Sequence, residues 1–559
     1  VRSTLTIILT TIVVVSAAAR QGSSDDASFY LRLARSLESF GAVMREVSTT
    51  YVDDVDPEDL AEVGIDAMLQ HLDPYSVYMR GDESEDVDML TTGNYVGFGI
   101  SVGRRDSVLT IVDVREDGPA VKAGIRVGDR LLTINDVRTD TMSPASLRPH
   151  TRGAIGSRAT LRILREGRRD TLTLTITRSE LPVQTVSHSE ILPGSIAYVR
   201  VERFARGTGV AVRKALGELR DRTDLRGIII DLRDNPGGLL DAAVDLVELF
   251  VPRNSVIVST RGRDASERRT YSSNEDPIEP TVPLAVLINE GSASASEIVA
   301  GAIQDLDRGI IIGKRSFGKG LVQTVVPLPN DATLKLTTSR YYTPSGRTIQ
   351  RIDYRSKRMG TSGEPSGTIT GLETGEPNFT TANGRRLSHH NGIDPDTAVS
   401  DSILPGVVAY LDRSDLIGRF ATVWSSTRDS LPAGFKVDRT VFDEFMAYVD
   451  ASPAQKRSPL LRELADARQR ALNAGWSAPS LKSIESAERA LEREVSKTLR
   501  SHQAIICERL EQEIRTRFGN DRARATRALR IDPMVQAARS ILASPAYQAI
   551  LGVQVPTDQ

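Results

Sequence analysis

The run Pro283-Leu284-Ala285-Val286-Leu287-Ile288 is apolar throughout and leads directly into Asn289-Glu290-Gly291-Ser292-Ala293-Ser294-Ala295-Ser296-Glu297. Six apolar residues with no polar alternation read as a strand buried on both faces. The Gly-bearing turn that follows opens a helix predicted over 294–305, and Ile310–Gly313 is a second buried strand. Upstream the same order recurs. Ile196–Val199 and Gly227–Leu232 read as strands, and Val210–Leu219 and Leu240–Val251 as helices. This alternation from Ile196 to about Gln350 predicts an α/β domain with parallel strands.

Three turns in this domain are chemically unusual. Ser294 stands where a helix begins, close to unpaired N–H groups and the positive end of the helix dipole. A nucleophile there has its developing charge stabilised, although a serine in this place is also an ordinary N-cap. Asp231-Leu232-Arg233-Asp234-Asn235-Pro236-Gly237-Gly238 ends the preceding strand. Its two glycines can present backbone N–H groups to an oxyanion, or simply turn the chain. Gly313-Lys314-Arg315-Ser316-Phe317-Gly318-Lys319-Gly320 nearly spells a phosphate-binding loop. However, Gly320 stands where a metal-binding Ser or Thr belongs, and a strand follows where a helix is needed. Lys319 between two glycines is either a solvated loop residue or a lysine brought close to backbone. A lysine kept from water can act as a general base.

Outside this domain the patterning changes. Residues 28–82 carry apolar residues at helical spacing, with a helix start at Asp56-Pro57-Glu58 and a stop at Asp73-Pro74. From 83 to 179 short strands alternate with glycine turns. Residues 352–392 are rich in Gly, Ser, Thr and charge, and read as an irregular insertion. After Val399 the chain is helical. Ile484, Ala487, Leu491, Val495, Leu499, Ile506, Leu510, Ile514 and Phe518 fall on one face of a single long helix.

Composition narrows the function. The chain has 559 residues, a formal net charge of −2, one cysteine (Cys507) and six histidines. The balanced charge argues against a general nucleic-acid binder. A single cysteine excludes an intramolecular disulfide framework, a thiolate zinc cluster and a CxxC redox motif. No HExxH occurs, which excludes a zincin-type metalloprotease. Residues Thr4–Ala19 carry no charge and end in three alanines. They are short for a span of about 20 residues, and read as a signal peptide or a signal anchor over 1–19.

The order and spacing of these segments resemble the C-terminal processing peptidases, also called tail-specific proteases: PDZ-containing serine proteases. The likeness rests on Leu72-Asp73-Pro74-Tyr75-Ser76; on Gly97-Phe98-Gly99-Ile100, Gly118-Pro119-Ala120, Ala123-Gly124-Ile125 and Gly128-Asp129; on Arg226–Gly238; on Gly291–Glu297; on Ser316–Gln323; on Arg340–Arg347; and on Gly392–Asp396. It covers about residues 40–400. The fold it implies is multidomain α/β. An N-terminal helical segment spans 28–82 and a PDZ domain 83–179. A crotonase/ClpP-like α/β serine protease core spans 180–402 and a C-terminal helical domain 403–559.

The resemblance makes Ser294 the nucleophile and Lys319, 25 residues on, its general base. Gln323 orients the lysine. The N–H of Ala295, with that of Gly237 or Gly238, forms the oxyanion hole, and Glu297, Asp305 and Ser316 support the site. Ser316 stands where Thr is common and Asp234 where Asn is usual. Gly97, Phe98, Gly99 and Ile100 form the PDZ carboxylate loop, and Arg152 matches an arginine that couples the PDZ domain to the active site. No metal or cofactor is expected. The expected partners are protein substrates with free, apolar C-terminal tails, together with a membrane anchor at the N-terminus and a second copy or an adaptor on the C-terminal helices. The protein is expected outside the cytoplasm. Two alternatives stay open: a catalytically silent PDZ adaptor, and an enzyme of the crotonase type.

Overall fold

The computed structural model describes residues 24–80, 85–105, 108–143, 146–165, 170–330, 332–352, 354, 379–389, 391–399, 406–428, 430–432, 434–452, 458–518, 529 and 532–553. The uncharged run at 4–19 lies outside the described residues, as does all of 355–378. Among the described residues no helix is long and apolar enough to cross a membrane. The chain forms two compact units.

The smaller unit holds residues up to Arg80 together with 323–337 and 354–361. Its helices are Ser24–Thr50 and Pro57–Gln70. The second begins as the sequence predicts. Asp56 caps it by accepting the Glu58 N–H at 2.8 Å, and Pro57 occupies the first turn, where its missing N–H costs nothing. Asp73 then closes a turn, accepting the amides of Tyr75 and Ser76, both at 2.8 Å. Strand Val77–Arg80 pairs antiparallel with residues 332–335.

The larger unit contains the α/β core. Its sheet runs in chain order: β1 (Val186–Leu192), β2 (Ile196–Val201), β3 (Gly227–Asp231), β4 (Leu284–Ile288), β5 (Ile310–Gly313) and β6 (Thr397–Ala398). β1 is antiparallel to β2, and every later pairing is parallel. Strands β3, β4 and β5 are buried along their whole length, which is why they read as apolar runs, broken only by Asp231 at the end of β3. One face is covered by α1 (Thr208–Arg220), α2 (Leu240–Glu248) and α3 (Ala295–Asp305), with Val212, Leu216, Leu246, Val247, Ile298 and Val299 in the core.

The other face is covered by residues assigned from sequence to the C-terminal helical domain. α4 (Pro533–Leu542) and the helix Ala546–Ile550 place Met534, Val535, Ala538, Leu542 and Tyr547 against Tyr198, Ile229, Leu287 and Ile312. These last described helices therefore complete the core of the sheet. The earlier C-terminal helices pack on one another around Phe420, Phe442, Phe445, Leu499 and Leu510.

The long helix expected across 484–518 is broken. It forms Ala478–Ser501 and Gln503–Arg517, with His502 at φ −103° and ψ 22° between them. The Ser501 hydroxyl donates to the Thr498 carbonyl at 2.7 Å, and His502 Nδ1 lies 2.8 Å from the same oxygen. These side chains compete with the helical ladder. The apolar stripe survives the break, and Val495, Leu499, Ile506, Leu510 and Ile514 share one core.

Strands Ile100–Arg105, Val108–Val114, Arg130–Ile134, Arg158–Leu164 and Leu172–Thr177 form an antiparallel sheet, with Val137–Arg138 beside it. Its core includes Phe98, Leu109, Ile111, Leu131 and Leu161. The region expected to be an irregular insertion is partly built. Residues 379–389 make a turn closed by a Thr380–Arg386 bridge, and Arg385 pairs with Asp307 at 2.7 Å and with Asp396 at 2.5 Å.

Candidate active site

Three loops leave the carboxyl ends of β3, β4 and β5, the usual place for a site in a parallel sheet. The first two are stitched together. Asn289 Oδ1 accepts the Asp234 N–H at 2.9 Å, and Asn289 Nδ2 donates to Asp234 Oδ1 at 2.8 Å. Ser292 Oγ donates to the Leu232 carbonyl at 2.8 Å. The Asn235 carbonyl accepts from Ala293 N at 3.0 Å and Ser296 Oγ at 2.9 Å. Asp234 thus makes the clasp with Asn289 in its own form, an aspartate where Asn is usual.

These bonds hold Ser294 in a costly backbone conformation, φ 55° and ψ −111°. A non-glycine residue pays about 1–3 kcal/mol for such a state, and it persists only where its surroundings fix it. Ser294 is half-buried and stands immediately before α3.

Glu297, one turn into α3, is fully buried. Its carboxylate collects four donors: the amides of Ser294 (2.8 Å), Lys319 (2.9 Å) and Gly318 (2.7 Å), and the Ser316 hydroxyl (2.5 Å). Burial raises the Glu297 carboxyl above its usual range, against these four hydrogen bonds, which favour the charged form. One side chain therefore fixes the backbone of Ser294 and of Lys319 together. Tyr341, also buried, adds a second tie. Its hydroxyl lies 3.1 Å from the Ser294 carbonyl and also reaches the Lys319 carbonyl. Ser316 in turn accepts the Ile393 N–H at 2.7 Å.

The glycines are required by close approach. A Cβ on Gly237 (φ 97°) would fall 2.7 Å from the Ala293 carbonyl, 2.8 Å from Ser294 Cβ and 2.9 Å from Ala295 N. A Cβ on Gly238 (φ 146°) would fall 1.9 Å from the Phe204 carbonyl. The Gly237 N–H is taken up by Asn235 Oδ1 at 2.9 Å. Among the described residues, the amides of Gly238 and Ala295 donate to no backbone or side-chain acceptor.

Lys319 is half-buried, preceded by Gly318 at φ 86°; the Gly320 N–H donates to Gln350 Oε1 at 2.7 Å. Gln323 belongs to the smaller unit, where its side-chain amide donates to Thr337 Oγ1 at 3.3 Å. Asp305 stands at the far end of α3 from Ser294. It forms a buried pair with Arg347 at 2.8 Å and accepts the Ser345 N–H at 3.0 Å, anchoring the 343–347 turn.

The expected carboxylate loop lies at the edge of the antiparallel sheet. Phe98 is buried under the Arg178 guanidinium, 4.9 Å from its ring centre, and Gly99 is at φ 75°. The carbonyls of Phe98 and Gly99 accept from Ala120 and Arg115 at 3.0 and 2.9 Å. Gly97–Ile100 and Arg152 line a cleft of about 1620 Å³, whose other walls include His188, Tyr198, Arg233 and Asp532. Arg152 also reaches Met89, its Nη2 3.8 Å from the sulfur.

Sequence reasoning gave no role to Tyr341, Asn235 or Asn289. All three lay inside segments already singled out, but nothing in their spacing tells which backbone groups they meet.

Four family models match the chain. They are peptidase family S41 over 195–355, a PDZ domain over 96–176, a PDZ-protease C-terminal helical domain over 407–542, and an activating protease CtpB N-terminal domain over 13–83. A carboxy-terminal-processing protease of Bartonella bacilliformis is 38% identical over 333 residues, covering 59% of this chain and 75% of that protein. Carboxy-terminal processing protease CtpB of Bacillus subtilis is 34% identical over 310 residues, covering 55% of this chain and 64% of that protein. Among solved structures, a photosystem II D1 C-terminal processing protease is 26% identical with a TM-score of 0.34, covering 66% of this chain and 93% of that one. The chain belongs to the carboxy-terminal-processing proteases, the PDZ-bearing serine proteases of peptidase family S41.

Proposed function

We propose that this protein is a serine endopeptidase that captures the C-terminal tails of proteins on its PDZ domain and cuts them with Ser294 and Lys319. The unprotonated Lys319 amine accepts the Ser294 hydroxyl proton as Oγ attacks a peptide carbonyl carbon. The amides of Gly238 and Ala295 receive the resulting oxyanion. The intermediate collapses to an acyl-enzyme as the leaving amine takes the proton, and water then releases the acyl group by the same steps. The observation that carries the reading is the Glu297 carboxylate, which binds the backbone of Ser294 and Lys319 at once. A silent adaptor has no use for a strained serine fixed in register with a lysine.

The Gly97–Ile100 loop holds the tail carboxylate on its N–H groups while the tail pairs with the strand edge. The substrates are proteins with apolar tails, met outside the cytoplasm, where the run at 4–19 delivers or anchors the enzyme. A second copy or an adaptor docks on the C-terminal helices.

The test is cleavage of an unstructured reporter with an apolar C-terminal tail. The wild type cuts it, and amidation of the tail carboxylate slows the cut by raising KM. Ser294→Ala and Lys319→Ala lose about 10²-fold or more of the rate. Equal cutting by Lys319→Ala removes the dyad, and indifference to amidation removes tail capture.

A further inference from the structure

An ionic chain, rooted in a buried carboxylate and partly buried beyond it, joins the proposed oxyanion turn to the last described helices. It begins at Asp231, the end of β3, which is fully buried. Burial alone would raise its carboxyl. Arg233, Arg200 and the Tyr198 hydroxyl outweigh that and hold it below the usual carboxylate range. Tyr198 donates to it at 2.6 Å, and Arg233 grips it with Nε and Nη2 at 2.9 and 2.6 Å. The remaining arm of the guanidinium, Nη1, donates to Asp532 Oδ2 at 2.7 Å. Asp532 divides its carboxylate. Oδ2 holds Arg233, while Oδ1 caps α4 by accepting the amides of Met534 and Val535 at 2.9 and 3.1 Å.

Arg233 directly precedes Asp234, where the backbone turns to φ 61° on its way to Asn235, Gly237 and Gly238. Both ends of its side chain are fixed, one on the sheet and one on the start of a helix 299 positions away. The entry of the turn is therefore held by a contact that the peptidase segment, 195–355, does not contain.

We infer that Arg233 and Asp532 are positioning residues for the oxyanion-binding turn, so that the chain end is part of the catalytic centre. This rests on the reading of Gly238 and Ala295 as oxyanion donors. The consequence is specific: loosening Asp532 disturbs charge stabilisation in the transition state, and leaves substrate capture alone.

Asp532→Asn separates the two tasks of the residue. Asn caps helices about as well as Asp, so α4 keeps its start. The charge facing Arg233 is lost. On the full chain, kcat for the tailed reporter falls about tenfold or more. KM and the affinity for a labelled tail peptide stay within about twofold of wild type. A peptide aldehyde forms a hemiacetal whose oxyanion occupies the same amides, so it binds more weakly by the factor lost from kcat. Asp532→Glu, which keeps the charge, recovers most of both. The melting temperature of Asp532→Asn stays near wild type.

An unchanged kcat in Asp532→Asn overturns the inference. So does a loss that leaves aldehyde binding intact, or one that appears in tail affinity, since Asp532 also lines the cleft. Ser294→Ala serves as the separate control. If it still cuts, the reading of the site fails. If it is dead while Asp532→Asn is fully active, only the present inference fails.

Discussion

At the scale of single residues, the site is built from backbone geometry more than from side-chain chemistry. Ser294 is held at φ 55° by bonds its neighbours make, and Gly237 lies within van der Waals contact of that backbone. Gly237→Ala should therefore abolish activity. The new methyl would meet backbone atoms at 2.7–2.9 Å on a residue already at positive φ, where neither side can yield cheaply. The expected result is a loss of at least about 10²-fold in kcat with tail affinity retained, read by the reporter assay and peptide binding. The turns that carry Ser294, Lys319 and the paired glycines were legible as Gly-bearing segments at strand ends, while the roles proposed for them came from the family resemblance. Which glycine offers its N–H was not. That depends on Asn235 folding back onto Gly237, a contact set by the Val201 carbonyl on a neighbouring strand. Asp305 was named only through the family resemblance. Its partner Arg347 explains its place as an anchor at the far end of α3.

At the scale of elements, apolar runs announced β3, β4 and β5, and the helices between them followed from their periodicity. The failures are equally physical. The helix across 484–518 shows one stripe by period, yet Ser501 and His502 turn their side chains back on the Thr498 carbonyl and interrupt it. The neighbour of the final helices was left open, because an amphipathic pattern shows that a face is covered, and never by what. α4 covers the second face of the core sheet through Met534, Val535, Ala538 and Leu542. Each such side chain is worth about 1.5–3 kcal/mol when buried, except alanine, which is worth less. Their sum, with Tyr547, is comparable to the total stability of a domain, roughly 5–15 kcal/mol. A chain ending at residue 528 should therefore lose its cooperative thermal transition or aggregate. Circular dichroism and sedimentation would check this. A truncated chain that melts like the wild type would show that the helix is an ornament on a self-sufficient core.

At the scale of the whole molecule, the larger unit brings its antiparallel PDZ sheet, the α/β core and the chain end to one cleft. The Gly97–Ile100 loop, proposed to capture the tail, lines it, and so do Arg233 and Asp532, which lead to the proposed oxyanion turn. The proposed chemistry has Ser294 acylated because Lys319 removes its proton. The most direct measurement is mass spectrometry of enzyme quenched in acid during turnover, with peptide mapping of the adduct. The proposed chemistry predicts a single acyl group on Ser294 that is absent in Ser294→Ala. In Lys319→Ala it should form slower by about 10²-fold or more at neutral pH. An adduct on another residue, or one that forms on Ser294 at the same rate without Lys319, would contradict it.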